Sequence, residues 1–196
     1  MLSQLLPLAA LAATASAHGL ISSPTPRRPG DASVAACGRS VVNDITRDQT
    51  SHVEGLPELA AADAGYRADA CNLWLCRGLQ FGDNAANVQT YAPGQSVNVR
   101  VTLTIPHVGA ANVSIVDTRS DTLVGPAPLL VWPSGYADER QFYARQTPAN
   151  QTNFNVTIPQ DLGGKCAVPG ECVIQWWWYG TGARQTYESC IDFIVA

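Results

Sequence analysis

The chain predicts an all-β fold, an antiparallel β-sandwich with long loops and short helices, and three observations carry that expectation. Val97, Val99, Val101, Leu103 and Ile105 alternate with polar residues, the period-two pattern of a half-buried strand. Further strand-like runs follow at Asn112 to Asp117, Phe154 to Ile158, Cys172 to Tyr179 and Thr186 to Ile194. Tyr91-Ala92-Pro93-Gly94, Pro106 and Gly163-Gly164 supply turn residues between them. Several short strands separated by Gly- and Pro-rich turns are the pattern of a sandwich.

The first half of the chain reads differently. Ser22 to Gly30 is proline-rich and expected to be loop. Ala32 to Ala70 is weakly periodic, with short helices expected in stretches such as Val53 to Ala64. Within the strand Cys172 to Tyr179, Trp176, Trp177 and Trp178 are consecutive, so they point to alternate faces and at least one belongs to the core.

Residues 1–17 read as a secretory signal. Leu5 to Thr14 has the length of an apolar h-region and Ala15-Ser16-Ala17 is a small-residue cleavage site, although the n-region carries no Lys or Arg. The apolar run is shorter than the roughly 20 residues a membrane span needs. The expected organisation is a signal peptide over 1–17 and one domain over 18–196, secreted to the extracellular space and acting as a monomer. The 196-residue chain has six cysteines, Cys37, Cys71, Cys76, Cys166, Cys172 and Cys190. An even count behind a signal peptide implies an oxidising compartment and disulfides. Their connectivity stays open on sequence, although Cys166 and Cys172 are close enough to clip one short loop. Asn112, Asn150 and Asn155 open N-x-[ST] triplets and are expected glycosylation acceptors. A net charge of −4 with 14% charged residues offers no basic patch for nucleic acid and no reason to expect a membrane partner. It is compatible with an uncharged polymer as partner.

His18 is the informative residue for chemistry. Cleavage after Ala17 would leave a free α-amine on the residue that also carries an imidazole. That amine has an ordinary pKa of about 7.7–8.0, so a metal can displace its proton near neutral pH. The amine and ring nitrogens of one residue form a chelate, and one more imidazole completes a T of three nitrogens. Such a set suits Cu(II), which prefers tetragonal nitrogen and oxygen ligands. Only His52 and His107 remain to supply the second imidazole. His107 ends a strongly alternating strand, a rigid platform. His52 lies in the polar run Asp48-Gln49-Thr50-Ser51 and reads as a solvated surface residue. On the last strand Gln185 and Tyr187 share a face, so a phenol is available as an axial ligand and an amide beside it can bond an oxygen-derived ligand. Ile191 and Phe193 share that parity, so Tyr187 also reads as a core tyrosine. Asp117, Glu188 and Asp192 show no sign of the paired carboxylates a glycosidase requires.

The chain resembles the lytic polysaccharide monooxygenases, particularly fungal single-domain members labelled chitin-binding type-4. The resemblance runs from His18-Gly19 and Arg27 to Gly30 through Ala36-Cys37-Gly38 and Ala70-Cys71-Asn72-Leu73-Trp74-Leu75-Cys76-Arg77-Gly78. It continues through Pro106-His107 and Ala111 to Asp117, then Cys172 to Trp178, and ends on Gln185-Thr186-Tyr187-Glu188-Ser189-Cys190. It implies an immunoglobulin-like (fibronectin III-like) sandwich and one copper ion held by His18 and His107, with Tyr187 axial and Gln185 beside it. It implies a Cys76–Cys190 bridge, leaving Cys37–Cys71 and Cys166–Cys172. It further implies an insoluble polysaccharide (chitin, cellulose or hemicellulose) as substrate, an external electron donor, and hydrogen peroxide or dioxygen as oxidant. Many members have a further histidine beside the metal; this chain has none in the matching context, and Arg27, Arg28 or Glu188 stand as replacements. Tyr66, Tyr136 and Tyr143 are loop candidates for stacking on sugar rings, and each also reads as an ordinary surface or core aromatic. Two other readings are a copper-binding protein of the same fold without cleavage activity and a non-catalytic chitin-binding module.

Overall fold

A computed structural model describes residues 18–196; the expected signal segment, 1–17, lies outside the described residues. In chain order the elements are β1 (His18–Ser23), α1 (Asp31–Cys37), α2 (Arg39–Arg47), α3 (Leu56–Ala61), β2 (Gln89–Tyr91), β3 (Ser96–Ile105), β4 (Gly109–Asp117), β5 (Thr122–Leu123), β6 (Leu130–Tyr136), α4 (Glu139–Tyr143), β7 (Asn153–Thr157), β8 (Cys172–Gly180) and β9 (Gln185–Val195).

Two sheets form the expected immunoglobulin-like sandwich. The smaller has the order β1-β3-β7; the larger has β2-β9-β8-β4-β5, with β6 on β4. All pairings are antiparallel except the short β2 edge, which runs parallel to β9. β3 behaves as its pattern predicts. Val97, Val99, Val101 and Leu103 face inward and the residues between them face solvent, while Ile105, at the strand end, is 37% exposed. Opposite them Ile115, Ile174, Trp176, Trp178, Ile191 and Phe193 fill the space between the sheets. Trp176 and Trp178 are fully buried, and Trp177 points the other way and stacks on Tyr179.

The larger sheet is covered on both faces, because residues 24–88 fold across its outer side. Here α1, α2 and α3 pack their own apolar cluster, including Val41, Ile45, Val53 and Leu56. The first two helices are capped from a distance. Asp83 accepts hydrogen bonds from the Ala32 and Ser33 amides at the start of α1, and Asp63 accepts one from the Ser40 amide at the start of α2. The residues immediately before these helices are Gly30 and Gly38, which have no side chain to cap with. Buried polar groups on the outer face of β9 are paired to this cover. Arg27 makes a two-pronged bond to Asp192, at 2.8 and 2.7 Å, and donates to the Leu79 carbonyl.

Three disulfides join Cys37–Cys71, Cys76–Cys190 and Cys166–Cys172, the pairing the resemblance implies. The second ties the helical cover to β9. Asn150 and Asn155 are exposed; Asn112 is half-buried on β4, where it accepts a hydrogen bond from Ser114. No helix among the described residues is long and apolar enough to cross a membrane.

Candidate metal centre

Strand register gathers the sequence-predicted site residues at one end of the sandwich. His18 opens β1 and pairs with Ile105 at the end of β3, and Thr104 donates to the His18 carbonyl at 3.3 Å. His107 follows two residues later, in the turn into β4. Gly109, the first residue of β4, pairs with Gly180 at the end of β8, and Gly180 pairs with Gln185 at the start of β9. The turn carrying His107 lies close over β8. A Cβ on Gly109 would fall 1.8 Å from the Tyr179 carbonyl oxygen, so only glycine fits there.

Each imidazole is oriented by a carboxylate. Asp48 lies 2.6 Å from Nε2 of His18, and Glu139, on α4, lies 3.0 Å from Nδ1 of His107. Burial raises the Asp48 pKa, but hydrogen bonds from Thr50 and the neighbouring His18 outweigh it and hold the carboxyl below its usual value. Burial likewise opposes ionisation of Glu139, and hydrogen bonds from His107 and the Val108 amide carry the net shift downward. An ionised carboxylate only accepts, so each ring donates from the nitrogen facing it. In a neutral ring the other nitrogen, Nδ1 on His18 and Nε2 on His107, is then the one that carries a lone pair. Carboxylates that set the tautomer in this way are the usual outer partners of metal-bound histidines. Nδ1 is also the nitrogen of His18 that can close a small chelate ring with that residue's own amine.

Tyr187 is a core tyrosine whose hydroxyl reaches the Gln185 amide. Its ring is fully buried and stacks on Trp178 with centroids 4.5 Å apart, while its hydroxyl donates to Oε1 of Gln185 at 2.7 Å. That bond occupies the amide oxygen of Gln185, whose donor end is its NH2 group.

The structure corrects several expectations. His52 is not a solvated surface residue. It is half-buried with its ring edge against Tyr187, centroids 6.4 Å apart, and its Nδ1 is buried 3.9 Å from Glu54. Tyr136 is no loop aromatic. It is fully buried and its hydroxyl donates to the Gln151 carbonyl, so it cannot stack on a ligand. Tyr66 is half-buried against the helical cluster. Tyr143 is 71% exposed on α4, one turn beyond Glu139. Arg27 is committed to Asp192. Arg28 bonds the Gln49 side chain.

Two features escaped the sequence reading. One is the loop 48–54, which touches both β1 at His18 and β9 at Thr186 and Tyr187. Asp48 holds the His18 ring, the Thr50 carbonyl accepts from the Gly19 amide, His52 lies against Tyr187, and Val53 and Glu54 bond the backbone of Thr186. The other is Arg77, buried and left-handed at φ 59, which donates to the Gln49 carbonyl and the Ser51 hydroxyl from below that loop. Its amide donates to Glu188 at 3.2 Å, on the strand that carries Tyr187. Burial lowers the Arg77 pKa to about 10, leaving it charged near neutral pH, and burial raises Glu188 to about 8. Neither was legible because the contacts span roughly 30 and 110 residues of sequence. Among the described residues no three His, Cys, Asp or Glu side chains converge as metal donors. A metal held here would therefore draw on other donor types, of which the Tyr187 phenol is one.

A sandwich with two carboxylate-oriented imidazoles and a phenol gathered at one end defines a class of protein, and comparison with known proteins gives the family. The family profile described as "Lytic polysaccharide mono-oxygenase, cellulose-degrading" matches residues 18–193. The chain belongs to this lytic polysaccharide monooxygenase family. Among solved structures, a chitin binding domain from Burkholderia pseudomallei is 15% identical with a TM-score of 0.50, covering 92% of this chain and 100% of that one; the likeness is one of fold. A lytic polysaccharide monooxygenase from Thermobia domestica in the Cu(I) state is 18% identical with a TM-score of 0.45, covering 91% and 99%. One from Jonesia denitrificans is 15% identical with a TM-score of 0.44, covering 91% and 100%. No curated protein matches.

Proposed function

We propose that the chain is a secreted, copper-dependent lytic polysaccharide monooxygenase, active after removal of residues 1–17 and holding one copper ion between the α-amine and Nδ1 of His18 and Nε2 of His107. The observation that carries this reading is the pair of carboxylates. Asp48 and Glu139 turn opposite nitrogens of the two rings outward as acceptors, and on His18 that nitrogen is the chelating one. The amine and ring nitrogens of His18, Nε2 of His107 and the Tyr187 hydroxyl would be the donors, a nitrogen and oxygen set of the kind copper prefers.

Copper bound there would supply one-electron chemistry that activates hydrogen peroxide or dioxygen, given an external electron donor, for oxidation of a carbon at a glycosidic bond. The chain's own residues do the rest. Asp48 and the Thr50 carbonyl fix His18. Glu139 and the tight Gly109 turn fix His107. The Gln185 amide, oriented by the Tyr187 hydroxyl, presents hydrogen-bond donors beside the centre, and His52 packs the far side of the Tyr187 ring. Tyr143 stands exposed one helical turn from Glu139, where a sugar ring of an insoluble polymer can stack. A centre at an end of the sandwich suits a solid substrate. Asn112, Asn150 and Asn155 are proposed glycan acceptors.

Copper-loaded protein beginning at His18, supplied with ascorbate, is expected to release oxidised oligosaccharides from at least one insoluble glycan among chitin, cellulose and hemicelluloses, read by mass spectrometry. Tight copper binding with no release from any of them would instead identify a copper carrier.

A further inference from the structure

The segment between Cys71 and Cys76 presents a tryptophan that the metal centre does not use. Both flanking cysteines are bridged, to Cys37 and to Cys190, so the turn is pinned at each end. Leu73 and Leu75 are buried on either side, while Trp74 between them is 48% exposed. The turn is built to hold it outward. The Trp74 amide donates to Oδ1 of Asn72 at 3.0 Å, and Nδ2 of Asn72 donates to Asp121 at 2.8 Å.

Trp74 forms one wall of a groove of about 470 Å³, with Tyr66, Pro57 and Ala60 opposite and no charged side chain in its lining. Across Ala68 and Asn72 this groove continues into a second of about 410 Å³, where Asp69, Gln80, Arg119 and Asp121 supply carboxylate, amide and guanidinium groups. Each half has the size of a small-molecule site. The polar half, to which Asn72 ties the Trp74 turn, lies far from His107. That residue precedes Gly109 at the start of β4, whereas Asp121 follows Asp117 at its end. A strand of nine residues separates the two ends by roughly 27–30 Å.

We infer that this double groove is a second glycan-binding site, remote from the metal centre, taking a neutral oligosaccharide with one pyranose ring stacked on Trp74 and the next hydrogen-bonded in the polar half. The chemistry favours a sugar. A flat aromatic plate with uncharged walls matches the C–H face of a pyranose, and donors and acceptors of both charge signs beside it match neutral hydroxyls rather than an anion. A protein-docking surface is disfavoured because no other large exposed hydrophobic residue lines either half, so there is no extended apolar patch. The pinned turn leaves little backbone freedom to be lost on binding. The inference rests on the polysaccharide reading above but needs no copper.

The test uses copper-free full-length mature protein titrated with cellohexaose, chitohexaose and xylohexaose, followed by calorimetry and by heteronuclear NMR shifts. At least one hexasaccharide is expected to bind, with shifts at Ala68, Asn72 and Trp74. Trp74→Ala weakens it by about tenfold or more, Trp74→Phe keeps part of the affinity, and Arg119→Ala weakens it less. Thermal melts of each variant establish folding. The inference is overturned if none of the three sugars binds at millimolar concentration, if Trp74→Ala binds as wild type does, or if sedimentation shows self-association that Trp74→Ala abolishes. Copper-dependent cleavage is scored separately on the same variants. Loss of cleavage by the wild type would reject the proposed function while a Trp74-dependent titration still stood.

Discussion

The two faces of the larger sheet are built on opposite principles. The inner face is apolar, with Ile115, Ile174, Trp176, Trp178, Ile191 and Phe193 closed against β3. The outer face of the same strands carries Glu188 and Asp192, both buried, whose carboxylates accept from the Arg77 amide and the Arg27 guanidinium, while the Thr186 backbone amide donates to Glu54. The inner face supplies stability through area removed from water. The outer face supplies position, because a buried polar pair has one satisfactory geometry. That difference matters for function. The His18-holding loop 48–54 is bonded to the Tyr187-bearing strand at Thr186, and His52 adds a ring contact with Tyr187 itself.

The comparison can be broken most severely at Arg27. Arg27→Met leaves the buried Asp192 carboxylate without its partner and is expected to cost about 3–5 kcal/mol in denaturant unfolding. The double variant Arg27→Met/Asp192→Leu should recover most of that, since a buried pair replaced by apolar residues is close to neutral. A double variant as unstable as the single one would show that the pair contributes more than it costs.

Next in size are the carboxylates that orient the imidazoles. Asp48→Ala and Glu139→Ala are each expected to weaken Cu(II) binding by about 10–100-fold and to alter its EPR spectrum, with small changes in melting temperature. Wild-type affinity in both variants would mean that the rings are held by packing alone.

Glu188 gives the outer face a pH signature. Burial holds its pKa at about 8, above an unfolded value of about 4.3. A raised folded pKa contributes stability that is complete below the unfolded pKa and is lost as pH rises through the folded one. Glu188→Gln, neutral at every pH, should therefore gain on the wild type steadily between about pH 4.5 and 8 in thermal melts. A constant difference across that window would contradict the assignment. The smallest effect belongs to the inner face, where Ile174→Val should cost about 0.5–1.5 kcal/mol with no dependence on pH.

Sequence reasoning reached the inner face and stopped at the outer one for a physical reason. Alternation such as Val97 to Leu103 is local and period-two, so β3, β4, β7, β8 and β9 were all legible. β1 was masked by its adjoining proline-rich loop, and β2 and β5 are too short to carry a pattern. The helices α1 and α2 begin after glycines and take their caps from Asp83 and Asp63, some 50 and 23 residues away, so no local start signal existed. At the site, His18, His107 and the Gln185–Tyr187 pair were readable from a cleavage site, a strand end and strand parity. Asp48, Glu139, Arg77 and the burial of His52 depend on tertiary contacts that leave no period. His52 was misread because a polar stretch usually faces solvent, whereas here its backbone is turned inward by the bonds of Val53 and Glu54 to Thr186.

The proposed centre depends on the terminal amine of His18 as a ligand. Copper affinity should be compared by calorimetry for protein starting at His18 and for the same protein with a single alanine retained before it. The extended form is expected to lose the chelate and bind at least about a hundredfold more weakly, with both forms melting alike when copper-free. Equal affinity in the two would contradict the proposed centre.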